Sequence, residues 1–439
     1  SITDVLGITS SFTYDTVDTG FITVLNTPYG TSNFAAGETS NSYRWLELTD
    51  PLGATERIEF NSGTSGVADT PDAAPSGMTL PGSGYSLANT FYWDRHANGN
   101  LVGQGDYTKA VMTHWLADAQ QAASPVPLLT KRPGANPVYF NYPGQTDGGS
   151  EGTLGVPSAV GRKIDATTEQ VSAYAYNTLG NLTSATDPKH RVSTISYDVA
   201  TNTDPITLQQ KTSASGYSTT GVFGNYTAHL PKEYTDAAGK VWRNAYNAAG
   251  QLIYATNPLN QTRFWEYDAQ GRMTRATVPV AVAYASVVYG TTNVSAATET
   301  SWNYTAACSG VTAPANTNLP ISVTDSQGYV LCYQYDNLDR VTKVKYPDGT
   351  TEQYDYNFPV GWTANGINYG GTQSLDVWQV TDRQGRVTTY TFDRNRRMTA
   401  KTEPVTVAGV ATTRTTNYSY YAARRTPRPR ATPMTWPGG

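Results

Sequence analysis

Three short segments hold residues whose types could do chemistry together. They are Trp93-Asp94-Arg95-His96, Asp106-Tyr107 and His114-Trp115, which lie within about twenty residues of each other. A carboxylate that orients an imidazole forms a general base, and two carboxylates on either side of a sugar can hydrolyse a glycosidic bond. Asp94, Asp106 and His114 are therefore the candidate catalytic residues if the protein is an enzyme.

The aromatic and imidazole side chains of the same segments are the candidate ligand-binding residues. They are Trp93, His96, Tyr107 and Trp115. An aromatic face can stack on a sugar ring, but the same rings also serve to pack a β-sheet. In the structural alternative, the rings cover the end of a sheet while Asp94 and Asp106 lie in turns.

Other catalytic signatures are absent from the sequence. There is no Gly-x-Ser-x-Gly elbow, Walker loop, dinucleotide fingerprint or His-Glu-x-x-His motif, and the chain has four histidines. We therefore predict no cofactor and no metal site, and the sequence leans against an enzyme. If the protein is one, a hydrolase is the expected class.

Cys308 and Cys332 are the two cysteines of the chain. In an oxidising compartment they could form a disulfide that closes a loop-rich insertion. Alternatively, they are half-buried thiols that pack as small apolar groups. With no histidine nearby, the pair does not make a zinc site.

A repeated strand module must position these residues. In several copies, a turn residue lies 11 positions before the Asp or Asn of an aromatic-Asp or aromatic-Asn pair, which we call the corner. A full period is 21 residues. Before each corner, aromatic or apolar residues are spaced by two, as in Tyr174 and Tyr176 or Trp265 and Tyr267. This spacing puts both side chains on one face of a strand. Asp or Asn with Gly three places later indicates a hairpin turn.

These copies resemble the RHS-repeat (YD-repeat) family. The best matches are 265–273, which reads WEYDAQGRM, and 333–341, which reads YQYDNLDRV with Asp339 where glycine is usual. The resemblance covers about 172–421, and the first 150 residues look like the segment that precedes the repeats in bacterial members. It implies an all-β fold, a spiral of stacked antiparallel β-hairpins that forms a solenoid or a partial hollow shell with few or no helices.

The resemblance also implies a role. In toxin complexes, polymorphic toxins and teneurin adhesion proteins, such shells enclose a cargo or present a recognition surface. The toxin branch often carries a self-cleaving pair of Asp-Pro-x-Gly motifs. Here Asp50-Pro51-Leu52-Gly53 alone matches, at the wrong end of the chain, so self-cleavage is not expected.

The composition is typical of sheets and turns, and it argues against some classes of partner. The chain has 31 tyrosines against 10 phenylalanines, and charged residues make up 15%. The net charge of −4 gives no electrostatic case for nucleic acid, and no apolar run is long enough for a membrane span. One helix or helical turn is expected over 106–123. No signal peptide is visible, yet the resemblance implies a secreted or surface protein.

We divide the chain into three parts. An N-terminal β-rich segment covers 1–150, and the β-spiral covers 151–421 with insertions at 199–231, 280–319 and 358–375. A basic, proline-rich tail at 422–439 is expected to be disordered.

Three functions remain open from the sequence. The first is a structural scaffold or shell segment of a secreted or surface-displayed bacterial protein, with an encapsulated polypeptide as its partner. The second is a carbohydrate-binding or adhesive module, with a glycan as the partner. The third is a hydrolase, glycosidase-like, with its site on loops of the β scaffold.

Overall fold

The computed structural model describes residues 1–5, 7–38, 43–61, 74–80, 88–98, 106–120, 122–281, 298–358, 363–364, 367–368 and 374–420. The predicted tail at 422–439 and most of the 358–375 insertion lie outside these residues. The described part before residue 150 contains the strands β1 (Ile2–Thr3), β2 (Thr9–Tyr14), β3 (Ile22–Thr27), β4 (Gly30–Glu38), β5 (Tyr43–Thr49), β6 (Thr55–Asn61), β7 (Asn89–Trp93), β8 (Val111–Ala117), β9 (Ala123–Lys131) and β10 (Val138–Asn141).

Strands continue through the rest of the described chain. In order they are β11 (Ala159–Lys163), β12 (Glu169–Tyr176), β13 (Leu182–Thr186), β14 (Val192–Tyr197), β15 (Pro205–Lys211), β16 (Tyr217–Thr227), β17 (Leu230–Asp236), β18 (Val241–Tyr246), β19 (Leu252–Thr256), β20 (Gln261–Tyr267), β21 (Met273–Thr277), β22 (Val280–Ala281), β23 (Thr298–Asn303), β24 (Ser322–Asp325), β25 (Val330–Tyr335), β26 (Val341–Lys345), β27 (Thr351–Asp355), β28 (Thr363–Ala364), β29 (Ile367–Asn368), β30 (Gln379–Thr381), β31 (Val387–Phe392), β32 (Met398–Val407) and β33 (Val410–Asn417).

Thirty-one of these strands form one sheet, and β28 with β29 forms a separate hairpin. Most neighbours along the chain pair antiparallel, from β1 with β2 to β32 with β33. The exceptions are that β22 pairs with β20, β21 with β23, and β27 with β30, also antiparallel. Within the described residues, β1 pairs with β2 alone and β33 with β32 alone, so the sheet is open at both ends. The predicted all-β fold of stacked hairpins is confirmed.

The sheet runs across the boundary expected near residue 150, because β10 pairs with β11. The insertion at 199–231 joins the sheet as well, since β15 and β16 pair with each other and with β14 and β17. The two parts differ in packing: the larger buried apolar clusters lie at 78–142, whereas most side chains of the later strands are half-buried.

Helical structure in the described chain is limited to α1 (Arg95–Asn98) and a 3₁₀ turn at Tyr107–Lys109. The helix or turn expected over 106–123 is therefore confined to that 3₁₀ turn, and the following residues form β8. Met112, His114 and Leu116 are buried in β8 while their neighbours are not. This period of two fits a strand and overrides the weak helical spacing.

Each repeat corner is held by its own Asp or Asn. At Asp187, one carboxylate oxygen accepts hydrogen bonds from the backbone nitrogens of Lys189 and Arg191, both at 2.9 Å. The other accepts from the Arg191 Nε at 2.6 Å, and this contact lowers the pKa of Asp187. Three residues after the corner the chain adopts positive φ, as at Gly271 (80°) and at His190 (61°). Glycine favours this conformation, which explains its place in the motif.

The hydrogen bond of the corner tyrosine explains why the chain has more tyrosine than phenylalanine. Its hydroxyl donates to a backbone carbonyl 15 residues earlier, in the preceding hairpin. The bonds are Tyr197 to Leu182 (2.8 Å), Tyr246 to Pro231 (3.3 Å), Tyr267 to Leu252 (2.9 Å), Tyr335 to Pro320 (3.1 Å) and Tyr356 to Val341 (3.3 Å). Phenylalanine would pack the ring but lose the bond, so each tyrosine fastens one repeat to the one before it.

Candidate functional site

The candidate ligand-binding residues Trp93 and Tyr107 are part of the N-terminal core. Trp93 is 1% exposed, and its indole nitrogen donates to the backbone oxygen of Asp106 at 3.2 Å. The Tyr107 ring lies 5.6 Å from the Trp93 ring and 4.4 Å from the Phe91 ring, measured between centroids. The Tyr107 ring thus packs against the buried cluster that contains Trp93 and Phe91.

The candidate catalytic carboxylates Asp94 and Asp106 are bonded to turns. Asp94 accepts hydrogen bonds from the backbone nitrogens of His96 (2.9 Å) and Ala97 (2.8 Å) at the start of α1. Asp106 accepts from the hydroxyl of Thr108 and from its backbone nitrogen at 3.2 Å. The hydroxyl contact is the main cause that lowers the pKa of Asp106. Both carboxylates therefore cap short helical turns.

His114 lies at the other end of the same strands. Its Nδ1 is 2.9 Å from the Oδ1 of Asn89, and both side chains are buried. Asn89 begins β7 and Asp94 follows its end, so about 16 Å of extended chain separates them. The indole of Trp115 donates to Thr90 at 2.7 Å. The structure brings Asp94 and Asp106 near Trp93 but does not bring His114 to them, and a catalytic role for these residues stays a prediction.

A buried ionic network lies beside Tyr107, where sequence reasoning placed none. The Arg57 Nε donates to Glu59 at 2.7 Å, and its Nη2 donates to the Tyr43 hydroxyl at 3.3 Å. The Tyr107 hydroxyl donates to the other Glu59 oxygen at 3.2 Å, and burial raises the pKa of Tyr107 to about 12. The guanidinium of Arg57 also lies 4.2 Å from the Trp45 ring centre. The sequence signal for this network is the alternation in β6, which places Arg57 and Glu59 on one face of the strand.

Two turns near the start of the chain contact turns near its end. We call this contact the seam; it comprises Tyr29, Gly30, Asp50 and Pro51 on one side and Phe358, Ser374, Leu375, Arg394, Asn395 and Arg396 on the other. The Tyr29 hydroxyl oxygen accepts from the Leu375 backbone nitrogen at 2.6 Å and lies 3.3 Å from the Ser374 hydroxyl. The Arg396 guanidinium lies over the Tyr29 ring, 5.5 Å from its centre.

Asp50 is the polar centre of the seam and is 5% exposed. One carboxylate oxygen accepts from the backbone nitrogens of Leu52 (2.8 Å) and Ala54 (2.9 Å) in its own turn. The other accepts from the Asn395 side chain at 2.8 Å and pairs with Arg95 at 2.9 Å. The Asp50-Pro51-Leu52-Gly53 segment thus forms a corner that docks onto the far end of the chain.

The bonded residues of the seam are 343 to 346 positions apart in sequence. Their agreement shows that the strand ribbon curves back to its start after about that length. Since the terminal strands do not pair with each other, the contact joins successive turns of a spiral by their corners.

The two cysteines are joined in the structure. Cys308 and Cys332 form a disulfide with their Cα atoms 6.2 Å apart. It fastens the loop at 304–319 to the buried position 332 in β25. Lys345 donates to the Ser309 carbonyl of the same loop at 2.7 Å.

Among the described residues, no group of three or more His, Cys, Asp or Glu side chains is arranged to hold a metal ion. In the same part of the chain, no helix has the length and apolar character needed to cross a membrane.

The fold and the seam define a repeat protein whose hairpins form one curved, continuous sheet. The family model described as RHS Repeat matches residues 246–282, 316–351 and 379–408. The chain carries RHS repeats in these segments, so the predicted resemblance to the RHS/YD-repeat family is confirmed there.

Several solved structures align with the chain at low sequence identity. TcdB2-TccC3-Cdc42 aligns with a TM-score of 0.45 and 12% identity, over 94% of this chain and 23% of that chain. The Tc holotoxin pore of Photorhabdus luminescens aligns with a TM-score of 0.44 and 14% identity, over 93% of this chain and 22% of that chain. The chain spans about a quarter of the length of these solved chains. No curated protein sequence matches it.

Proposed function

We propose that the chain forms part of the wall of an RHS shell, which encloses a polypeptide cargo or presents a recognition surface outside the bacterial cell. The observation that carries this proposal is the seam. A wall that encloses a volume must return on itself and be fastened where it returns. The bonds of Tyr29 and Asp50 to residues more than 340 positions away supply such a fastening.

The repeat contacts suit a wall rather than a moving machine. Each corner tyrosine bonds the preceding hairpin, and each corner Asp or Asn fixes its own turn, as Tyr267 and Asp268 do. A sheet built in this way is stiffened at every repeat, because neighbouring units share bonds as well as apolar surface. An extracellular setting is supported by the Cys308–Cys332 disulfide, because such bonds persist in oxidising compartments.

Electron cryomicroscopy of the purified chain tests the wall. We expect a curved density that surrounds a solvent region, with the corner at Asp50 against the corner at Asn395. A straight or flat ribbon, or a compact body without an interior, would contradict the proposal. Cargo is tested separately by protease digestion of the complete protein, since an enclosed polypeptide is cut only after the wall is denatured.

The hydrolase alternative rests on Asp94, Asp106 and His114. Their bonds to turns and to Asn89, described above, favour structural roles. Single changes of each residue to Ala, assayed on glycosidic substrates, test it: an activity that one of them abolishes supports the alternative. Carbohydrate binding without turnover stays a prediction.

A further inference from the structure

The loop at 304–319 is fastened at its two ends by contacts that do not involve a cysteine. Near its start, the Asn303 side chain donates to the Ala306 carbonyl at 3.0 Å. Near its end, the Asn316 side chain donates to the Asp339 carboxylate at 2.7 Å. A long ordered loop without regular secondary structure is uncommon in a compact fold and is often functional. Because its ends are held independently, the middle of this loop can move while they stay in place.

The middle segment, 307–313, is held to the sheet in a different way, and we call it the strap. Its one covalent link is the disulfide from Cys308 to Cys332 in β25. Three hydrogen bonds add to this link. They run from the Lys345 Nζ to the Ser309 carbonyl (2.7 Å), from the Lys343 Nζ to the Gly310 carbonyl (3.0 Å) and from the Thr312 backbone nitrogen to the Gln334 Oε1 (3.2 Å).

The three hydrogen bonds of the strap are too few to hold it without the disulfide. All three are exposed to solvent, so water competes for each donor and acceptor. The entropy lost when one residue is ordered roughly equals the gain from one such bond. Three bonds therefore do not offset the ordering of the seven residues of 307–313. The disulfide decides whether the strap lies on the sheet.

The strap covers two neighbouring cations. Lys343 and Lys345 lie on β26 directly opposite Gln334 and Cys332, so both lysines share one face of the sheet. Their positions along the strand are about 7 Å apart. Both side chains are half-buried, and within the described residues neither ammonium group pairs with a carboxylate. Their hydrogen-bond partners are the two carbonyls of the strap.

We propose that the strap is a redox-controlled cover of this lysine pair. In the oxidised protein the disulfide keeps the strap on the sheet, and both ammonium groups are capped by its carbonyls. When the disulfide is reduced, the middle of the loop leaves while its ends remain fastened at Ala306 and Asn316. The face of β26 then presents two uncompensated ammonium groups.

A dithiol supplies the electrons for the opening step. Its thiolate attacks the sulfur of Cys308, which is half-buried, whereas Cys332 is buried. The bond to Cys332 breaks and that residue leaves as a thiolate; the second thiol of the reductant then displaces Cys308. Two electrons and two protons pass to the protein, which ends with two thiols, and the reductant becomes a disulfide. Outside the cell the oxidised form persists, since disulfides are stable in oxidising compartments.

Lysine acetylation followed by mass spectrometry tests the strap on the whole chain. Oxidised protein is compared with protein that has been reduced by dithiothreitol, alkylated at its thiols and freed of reagent. We expect Lys343 and Lys345 to react about fivefold faster after reduction, since each loses one hydrogen bond to its amine. Lys211 is the matched control, because it is a half-buried strand lysine of β15 away from the loop, and its rate should not change.

The variant Cys308→Ser separates a strap that does not move from a disulfide that the reductant does not reach. Without any reductant, it should already show the fast acetylation of Lys343 and Lys345. Equal rates at these lysines in the variant and in the oxidised protein would overturn the proposal. An equal rise at Lys211 would overturn it too, since the sheet as a whole would then have opened. The strap does not depend on the enclosure of a cargo, so neither result bears on the wall.

Discussion

Asn395 offers a way to loosen the seam without touching a strand. Its side chain donates to the buried Asp50 carboxylate at 2.8 Å, and its own backbone nitrogen is bonded to the Asp393 corner. Asn395→Ala removes the first bond and keeps the second. A hydrogen bond to a charged acceptor contributes about 1.5–3 kcal/mol, and Arg95 remains to balance the carboxylate. We expect the seam to lose about 2 kcal/mol of stability against local opening.

The rate of hydrogen exchange at the Leu375 backbone amide measures this loss of stability. That amide donates across the seam to Tyr29, so it exchanges when the seam opens. A loss of about 2 kcal/mol corresponds to roughly 30-fold faster exchange. Gln384→Ala is the matched control, since Gln384 holds the same place in the preceding corner and is exposed. Equal exchange at Leu375 in the two variants would refute the claim that the seam is a fastened contact.

Three further predictions concern single contacts. Tyr267→Phe should lower the free energy of unfolding in urea by about 0.5–1.5 kcal/mol through its lost carbonyl bond, while Tyr329→Phe, at an exposed ring, should change nothing. The Glu403 pKa is lowered from 4.5 to about 2, first by Lys401, so the β32–β33 hairpin keeps this contribution above pH 4.5 and loses it as the pH falls toward 2. Nuclear magnetic resonance of that hairpin should show the loss, and Glu403→Gln should remove the pH dependence; an identical acid response in both would count against it. Cys308→Ser should lower the free energy of unfolding by about 3 kcal/mol in the oxidised protein and leave it unchanged under reducing conditions. Free thiols in the unreduced native protein would contradict the disulfide.

The repeat fold could be predicted because it is local. Spacing of two before each corner, Asp or Asn at the corner and a positive-φ position three places later are all properties of neighbouring residues, as at Tyr267, Asp268 and Gly271. Even His190, which stands where glycine is usual, adopts the expected conformation. The carbonyl bonded by each tyrosine was not foreseen, because it depends on how two hairpins lie against each other.

The arrangement of the candidate site could not be predicted, because it is not local. Asp94, Asp106 and His114 are close in sequence, but β7 places Asn89 and its partner His114 at one end and Asp94 at the other. Proximity along a chain does not give proximity across a sheet. The seam had a visible component in the Asp50 corner, yet its partner Asn395 lies 345 residues away. No local pattern reveals such a contact, since it depends on the summed curvature of all strands between them.

The distance between the two corners tests the account most directly. Leu52 lies next to the seam and Leu375 belongs to it, and both side chains are partly exposed. The distance between spin labels at these two positions can be measured by pulsed electron resonance. A ribbon that returns on itself predicts one short, narrow distance. Thirty-one strands laid flat would instead extend over roughly 150 Å. A long or undetectable distance in the folded protein would contradict the central claim.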